Sequence, residues 1–177
     1  MNVLLIDGSP APKSHTSALL AHLEELCKEK GLATERITLK DWQLPYNDPA
    51  LHDHPWDHPD EKVRSFVQKV ADANIVVLGS PLYHGTFSGL LKAALDHLSG
   101  DALEGKKVLP VGNASGLRTS IQAAQQLVII PRTMGGIVHP RVIGTAKPDY
   151  TEEADRYVLT APDMLQRCQE IVNELTN

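Results

Sequence analysis

Ser9, Ser14, Thr16 and Ser17 lie close together between a short apolar run, Val3–Ile6, and a helical pattern from about Thr16 to Lys30. A helix N-terminus presents unbonded N–H groups and a partial positive charge, so hydroxyls gathered there suit a phosphate group. Capping also selects Ser and Thr, but a cap uses one hydroxyl and here there are four. No Gly-Lys-Ser/Thr follows Gly8, the glycines are not spaced G-x-G-x-x-G, and no cysteine stands nearby. A Walker loop, a dinucleotide fingerprint and a thiol phosphatase loop are therefore excluded. What remains is a phosphate-bearing ligand held without a nucleoside triphosphate motif.

Two further small-residue loops follow apolar runs. Ile75-Val76-Val77-Leu78 reads as a buried parallel strand and leads into Gly79–Gly89, which carries Pro81, Leu82, Tyr83, His84 and Gly85. Connections of this kind usually take two to six residues, so this longer, aromatic-bearing one reads as a binding loop. Lys107–Asn113 reads as another strand, followed by Asn113-Ala114-Ser115-Gly116. Glycine lets backbone N–H and C=O groups approach a flat ring closely. A planar ring with a phosphate tail points to FMN.

The elements that must position these loops alternate along the chain. Strands are expected at Val3–Ile6, Ala33–Leu39, Ile75–Leu78, Lys107–Asn113 and Ile137–Ile143. Helices are expected at Thr16–Lys30, Asp60–Ala73, Leu90–Leu98, Thr119–Met134 (broken or kinked at Pro131) and Pro162–Leu175. Five alternating strands give an α/β class, a doubly wound parallel sheet of order 2-1-3-4-5 with helices on both faces, in a single domain over 1–177. The three loops then converge at the switch point. The alternation of Ile37 and Leu39 with polar neighbours marks the second strand as a half-exposed edge. Pro110 requires a bulge or a locally unpaired position in the fourth strand. Tyr150–Ala161 carries no clear pattern.

Asp41–Pro59 reads as irregular, rich in proline and histidine, with Trp42, Tyr46 and Trp56. Its His52, His54 and His58 lack the frame of a metal motif, so the segment reads as a lid or a subunit contact, not a metal site. Lys92 and Asp96, four apart on a helix, read as a surface pair. A net charge of −5 with no basic block argues against a nucleic-acid partner. Cys27 and Cys168 fall on apolar helical stripes, as buried thiols do in a reducing compartment. No apolar run approaches the roughly 20 residues of a membrane span, and no leader pattern precedes the first strand, so a cytoplasmic protein is expected.

Gly8–Ser17, GSPAPKSHTS, and Gly79–Leu98, GSPLYHGTFSGLLKAALDHL, resemble the two signature segments of the NADPH-dependent FMN reductase family, which has the flavodoxin-like fold. The second segment is the more distinctive. The resemblance implies that Ser9, Ser14, His15, Thr16 and Ser17 surround the FMN phosphate. It places Pro81, Leu82, Tyr83, His84 and Gly85 along the isoalloxazine ring, and Asn113, Ser115 and Gly116 at its other edge. The arginine common in the family's first loop is replaced by Ala11, and Lys13 is the substitute point charge. The resemblance further implies hydride transfer from NADPH or NADH through FMN to a small acceptor: a quinone, azo compound, metal oxyanion or free flavin. It implies a homodimer or homotetramer. With no separate dinucleotide fingerprint a ping-pong order is expected, and because the flavin carries the chemistry no protein acid or base is named. The rival reading is a non-enzymatic FMN-binding carrier or redox-responsive partner.

Overall fold

The computed structural model describes residues 1–176. Strands β1 (Asn2–Asp7), β2 (Ala33–Thr38), β3 (Ile75–Pro81) and β4 (Lys107–Ala114) run parallel in the order β2-β1-β3-β4. The main helices are α1 (His15–Glu29), α3 (Glu61–Asp72), α4 (Gly89–Leu95) and α7 (Pro162–Thr176). A short α2 (Leu39–Trp42) ends β2.

Period-two alternation sorts the strand side chains onto two faces. Leu4, Ile6, Val76, Leu78 and Val108 pack with Val63, Phe66 and Val70 of α3 and Leu91 and Leu95 of α4. Val3, Leu5, Ile75, Val77, Leu109 and Val111 pack with Leu19, Leu20 and Leu23 of α1 and Cys168, Ile171 and Val172 of α7. Both cysteines are buried and unpaired, and burial pushes the thiols up to about 11 for Cys27 and about 12 for Cys168. β2 is the expected edge, with only Ile37 fully covered.

The fifth strand differs from expectation. Ile137–Ile143 is two pieces, β5 (Ile137–Val138) and β6 (Ile143–Ala146), both paired to β4, which makes six strands in the sheet. The break accommodates Pro110. That residue keeps its register with Leu78 on the β3 side. On its other side the chain leaves the sheet between Val138 and Ile143, so the missing N–H faces no ladder partner.

The helix expected over Thr119–Met134 is also divided, into α5 (Gln122–Leu127) and α6 (Ile129–Thr133). Proline in a helix interior lacks a donor and collides with the carbonyl four residues back. Restarting the helix at Ile129 puts Pro131 in a first turn, where neither matters. The segment without a pattern holds an antiparallel hairpin, β7 (Tyr150–Glu152) and β8 (Tyr157–Leu159).

α5 lies directly on β4 and β6 because Gly112 and Gly144, paired across that ladder, leave room for it. A Cβ at Gly144 would stand 2.4 Å from Ile121 Cα, and one at Gly112 2.7 Å from Ala124 N. Gly144→Ala must push this backbone off the sheet and is expected to cost about 1–3 kcal/mol in urea unfolding. Gly100→Ala, whose Cβ meets nothing within 4 Å, is the control and is expected to be near neutral.

Candidate functional site

The carboxyl ends of β1, β3 and β4 open onto a cleft of about 170 Å³. A larger hollow of about 450 Å³ lies at the amino ends of β1 and β2 against α3. Ligands of open α/β sheets bind at the carboxyl ends, at the switch point, and that is where the small-residue loops converge.

The first loop is built on Asp7. Its carboxylate is fully buried and accepts from Ser9 N at 2.9 Å and from Ser17 Oγ at 2.5 Å. Burial raises its pKa, against the lowering effects of those two bonds and of Arg36 and Lys40. Ser14 caps α1: its Oγ accepts from Ser17 N at 3.0 Å and lies 3.0 Å from Ser17 Oγ. Ser9 Oγ accepts from Ala11 N at 3.3 Å. Among the described residues, the N–H groups of Lys13, Ser14, His15 and Thr16 have no acceptor, and buried Thr16 Oγ1 has no partner.

The hairpin of β7 and β8 closes one side of this loop. His15 stacks on Tyr157, centroids 3.8 Å apart, and meets the edge of Tyr150 at 4.8 Å. Burial, with a smaller contribution from Lys147, pushes the His15 pKa down. Lys13 Nζ donates to Glu152 Oε1 at 2.8 Å and to Glu153 O at 2.7 Å, and lies over Tyr157. The ammonium read as a phosphate partner is therefore engaged by the hairpin. Tyr150 continues the chain of contacts: its OH lies 2.7 Å from Thr145 Oγ1, which accepts from Asn113 Nδ2 at 3.2 Å. The first loop and the third loop are thus joined through Tyr150 and Thr145.

The second loop is a tight turn. Tyr83 and Thr86 exchange backbone bonds at 2.8 and 3.1 Å around His84 and Gly85, both at positive φ (49° and 87°). Glycine and histidine are among the residues that tolerate this region. Leu82 N donates to Asn113 O at 2.7 Å, fixing the second loop to the third. Ser88 anchors the far end of the turn. Its N–H donates to Ser80 Oγ at 2.8 Å, its Oγ donates to Gly8 O at 2.6 Å, and it caps α4 by accepting from Leu91 N at 3.1 Å.

Of the residues singled out in the sequence, Ser9, Lys13, Ser14, His15 and Thr16 line the cleft on one side. Pro81, Leu82 and Tyr83 line another, and Asn113 and Ser115 a third. Ser17 stands behind the loop in a neighbouring groove, His84 and Gly85 form the exposed tip of the turn, and Gly116 follows Ser115. Sequence reasoning missed Asp7, Thr145, Tyr150 and Tyr157. For Asp7 a signal existed, an acid at the last position of a buried strand; for the hairpin there was only the pair of short aromatic and β-branched triplets.

The Asp41–Pro59 segment is pinned at the C-terminal end of α4. His97 Nε2 pairs with Pro45 O at 2.8 Å, and its ring meets His58 at 5.4 Å. Trp42 packs on Phe66, while Tyr46 and Trp56 are exposed. Among the described residues no group of three His, Cys, Asp or Glu is placed to hold a metal ion. Lys92 and Asp96 form the expected surface pair.

Residues 1–148 match the model of the NADPH-dependent FMN reductase family. The chain belongs to this family. It is 32% identical over 178 aligned positions to an FMN-dependent NADPH-azoreductase of Staphylococcus aureus, covering all of this chain and 94% of that one. Among solved structures, it resembles the flavoenzyme NAD(P)H:(acceptor) oxidoreductase of Paracoccus denitrificans (TM-score 0.78, 20% identity, 98% of this chain and 94% of that one). It also resembles an FMN-dependent NADH-azoreductase of Bacillus anthracis in complex with FMN (TM-score 0.66, 14% identity, all of both chains). The flavodoxin-like fold follows.

The cleft fits the phosphate of the family's cofactor. Four acceptor-free N–H groups at and before the first turn of a 15-residue helix, with the unpartnered Thr16 hydroxyl, make an anion site. Ser88→Ala leaves Gly8 O without its donor and α4 without its cap, and is expected to cost about 1–3 kcal/mol in urea unfolding. Circular dichroism before denaturation is expected to be unchanged.

Proposed function

We propose that this chain is an FMN-dependent NAD(P)H oxidoreductase that passes hydride from NADPH or NADH, through FMN held in the switch-point cleft, to a small acceptor. The observation that carries the reading is the buried, unpartnered Thr16 hydroxyl at a helix start whose N–H groups have no acceptor. The acceptor class is a quinone, azo compound, metal oxyanion or free flavin. The azo class is supported by the Staphylococcus aureus relative.

When bound, FMN supplies the hydride chemistry, and no protein acid or base is assigned. Thr16 Oγ1, Ser9 Oγ and the N–H groups of Lys13 through Thr16 would hold the phosphate. Tyr83 and Leu82 would contact the ring. The N–H groups of Leu82 and Tyr83 are engaged within the protein, so those of His84, Gly85, Ser115 and Gly116 are left to favour negative charge beside the ring. Asn113, held by Thr145, would offer its amide oxygen to a ring edge.

The cleft is smaller than the ~300 Å³ at the low end of ligand-enclosing pockets. That supports completion of the site by a second subunit, in a homodimer or homotetramer. Exposed Tyr46 and Trp56 suit the contact. Among the described residues no helix is long and apolar enough to cross a membrane. A cytoplasmic location and the absence of a nucleic-acid partner are part of the proposal, supported by two buried free thiols and the net charge of −5. With no separate dinucleotide fingerprint, NAD(P)H and acceptor are proposed to use the same ring face in turn. Parallel reciprocal plots in steady-state kinetics are the expected result.

The test is an absorbance spectrum after incubation with FMN and desalting, then NADPH addition without oxygen. Flavin bands that bleach are expected, with NADPH consumed under air. A carrier would retain flavin without oxidising NADPH. Thr16→Val keeps the shape and removes the hydroxyl, and is expected to weaken FMN binding roughly tenfold with the fold intact.

A further inference from the structure

The proton bookkeeping of the first loop runs in one direction. Asp7 Oδ2 lies 2.5 Å from Ser17 Oγ and, as a carboxylate, accepts the only hydroxyl proton Ser17 has. Ser14 Oγ, 3.0 Å from Ser17 Oγ, must then be the donor of that pair. Ser14 lines the cleft, yet its proton points back to Ser17. Two of the four hydroxyls that make the loop look like a phosphate site are therefore turned away from it.

The charges around Asp7 do not reverse this. Arg36 of β2 and Lys40 of α2 are the cations that face it, and α1 contributes the Ser17 hydroxyl. Arg36 donates to Ser17 O at 3.1 Å and pairs with Glu24 at 3.2 Å. Lys40 donates to Ala11 O and Pro12 O, at 3.3 Å each. Lys13 is held by Glu152, and Ala11 brings no guanidinium. The cleft thus offers a phosphate neutral donors above a buried carboxylate.

Resting on the flavin reading, we infer that Asp7 is the positioning residue that sets how tightly this cleft holds a phosphate monoester. Its carboxylate directs the Ser14–Ser17 chain away from the ligand and places a like charge beneath it. Reversing the chain requires a donor at position 7. A protonated Asp7, or an amide there, donates to Ser17 Oγ while its other oxygen keeps the bond from Ser9 N. Ser17 then donates to Ser14 Oγ, and the Ser14 proton is released to the cleft. Burial already raises the Asp7 pKa, and a phosphate bound above it raises it further. The sign follows: the protonated form binds phosphate better, so affinity rises as pH falls toward the Asp7 pKa of the free protein. An ordinary phosphate site behaves oppositely, losing affinity as the phosphate dianion takes up a proton near a pH of about 6.

The experiment measures dissociation constants of FMN and of riboflavin, which lacks the phosphate, by flavin fluorescence on the full chain between about pH 5 and about pH 8. Asp7→Asn is expected to tighten FMN roughly tenfold at neutral pH and leave riboflavin unchanged. The gain is expected to disappear in the Asp7→Asn/Ser14→Ala double variant, and to shrink as pH falls and the native protein converges on the variant. Weaker binding of both flavins, or equal effects on the two, makes Asp7 a merely structural residue and overturns the inference. An Asp7→Asn chain that fails to fold leaves Ser14→Ala as the test: with the Ser14 proton turned away by Asp7, the FMN-to-riboflavin affinity ratio at neutral pH is expected to be unchanged, and a roughly tenfold fall in that ratio overturns the inference. A native chain that binds neither flavin overturns the flavin reading itself, and this inference with it.

Discussion

Neighbouring parallel strands whose following helices leave on opposite faces cannot close the space between their connecting loops. Here β1 feeds α1 on one face, and β3, hydrogen-bonded to β1, feeds α4 on the other. The loops must splay, and the cleft is the gap they leave. Everything else at the site defends that gap. Gly8 N donates to Gly79 O at 2.8 Å, and Ser88 Oγ to Gly8 O at 2.6 Å, so the two strand ends are sewn together just below it. Leu82 N on Asn113 O extends the same stitching to β4.

A cleft at a sheet end exposes backbone groups that a core would satisfy, and the protein divides its polar side chains between scaffold and ligand accordingly. Asp7, Ser17, Ser14, Ser80 and Ser88 are scaffold: each is hydrogen-bonded within the protein. Among the described residues, Thr16 Oγ1 and the first N–H groups of α1 have no partner. The residues matched by the family model, 1–148, contain all three loops. The hairpin of β7 and β8 falls outside that match. It seats Tyr157 on His15 and Glu152 on Lys13, and gives the first loop a wall.

Much of this was legible in the chain. The alternation of strands and helices over a chain of this length pointed to the sheet order, and the apolar patterns to the edge, because a strand covered on both faces must be apolar throughout and a half-exposed edge such as β2 must alternate. Pro110 announced a gap in its ladder and Pro131 a division of its helix, since a missing donor has the same consequence in any context. The split of the fifth strand was not legible. It depends on where β4 needs a partner, which is a property of two strands and not of one.

The sequence by itself determined the class, the strand order, the switch point and the three loops that meet there, because period, chain breakers and helix-start chemistry act over a few residues. Only the tertiary structure decided what each polar group does. Ser14 and Thr16 are alike as letters, two positions apart, yet one is drawn into the Asp7 chain and the other has no partner. Lys13 belongs to Glu152, 139 residues away, and not to the loop it stands in. A hydrogen bond goes to the nearest acceptor in space, and the distance along the chain does not report it.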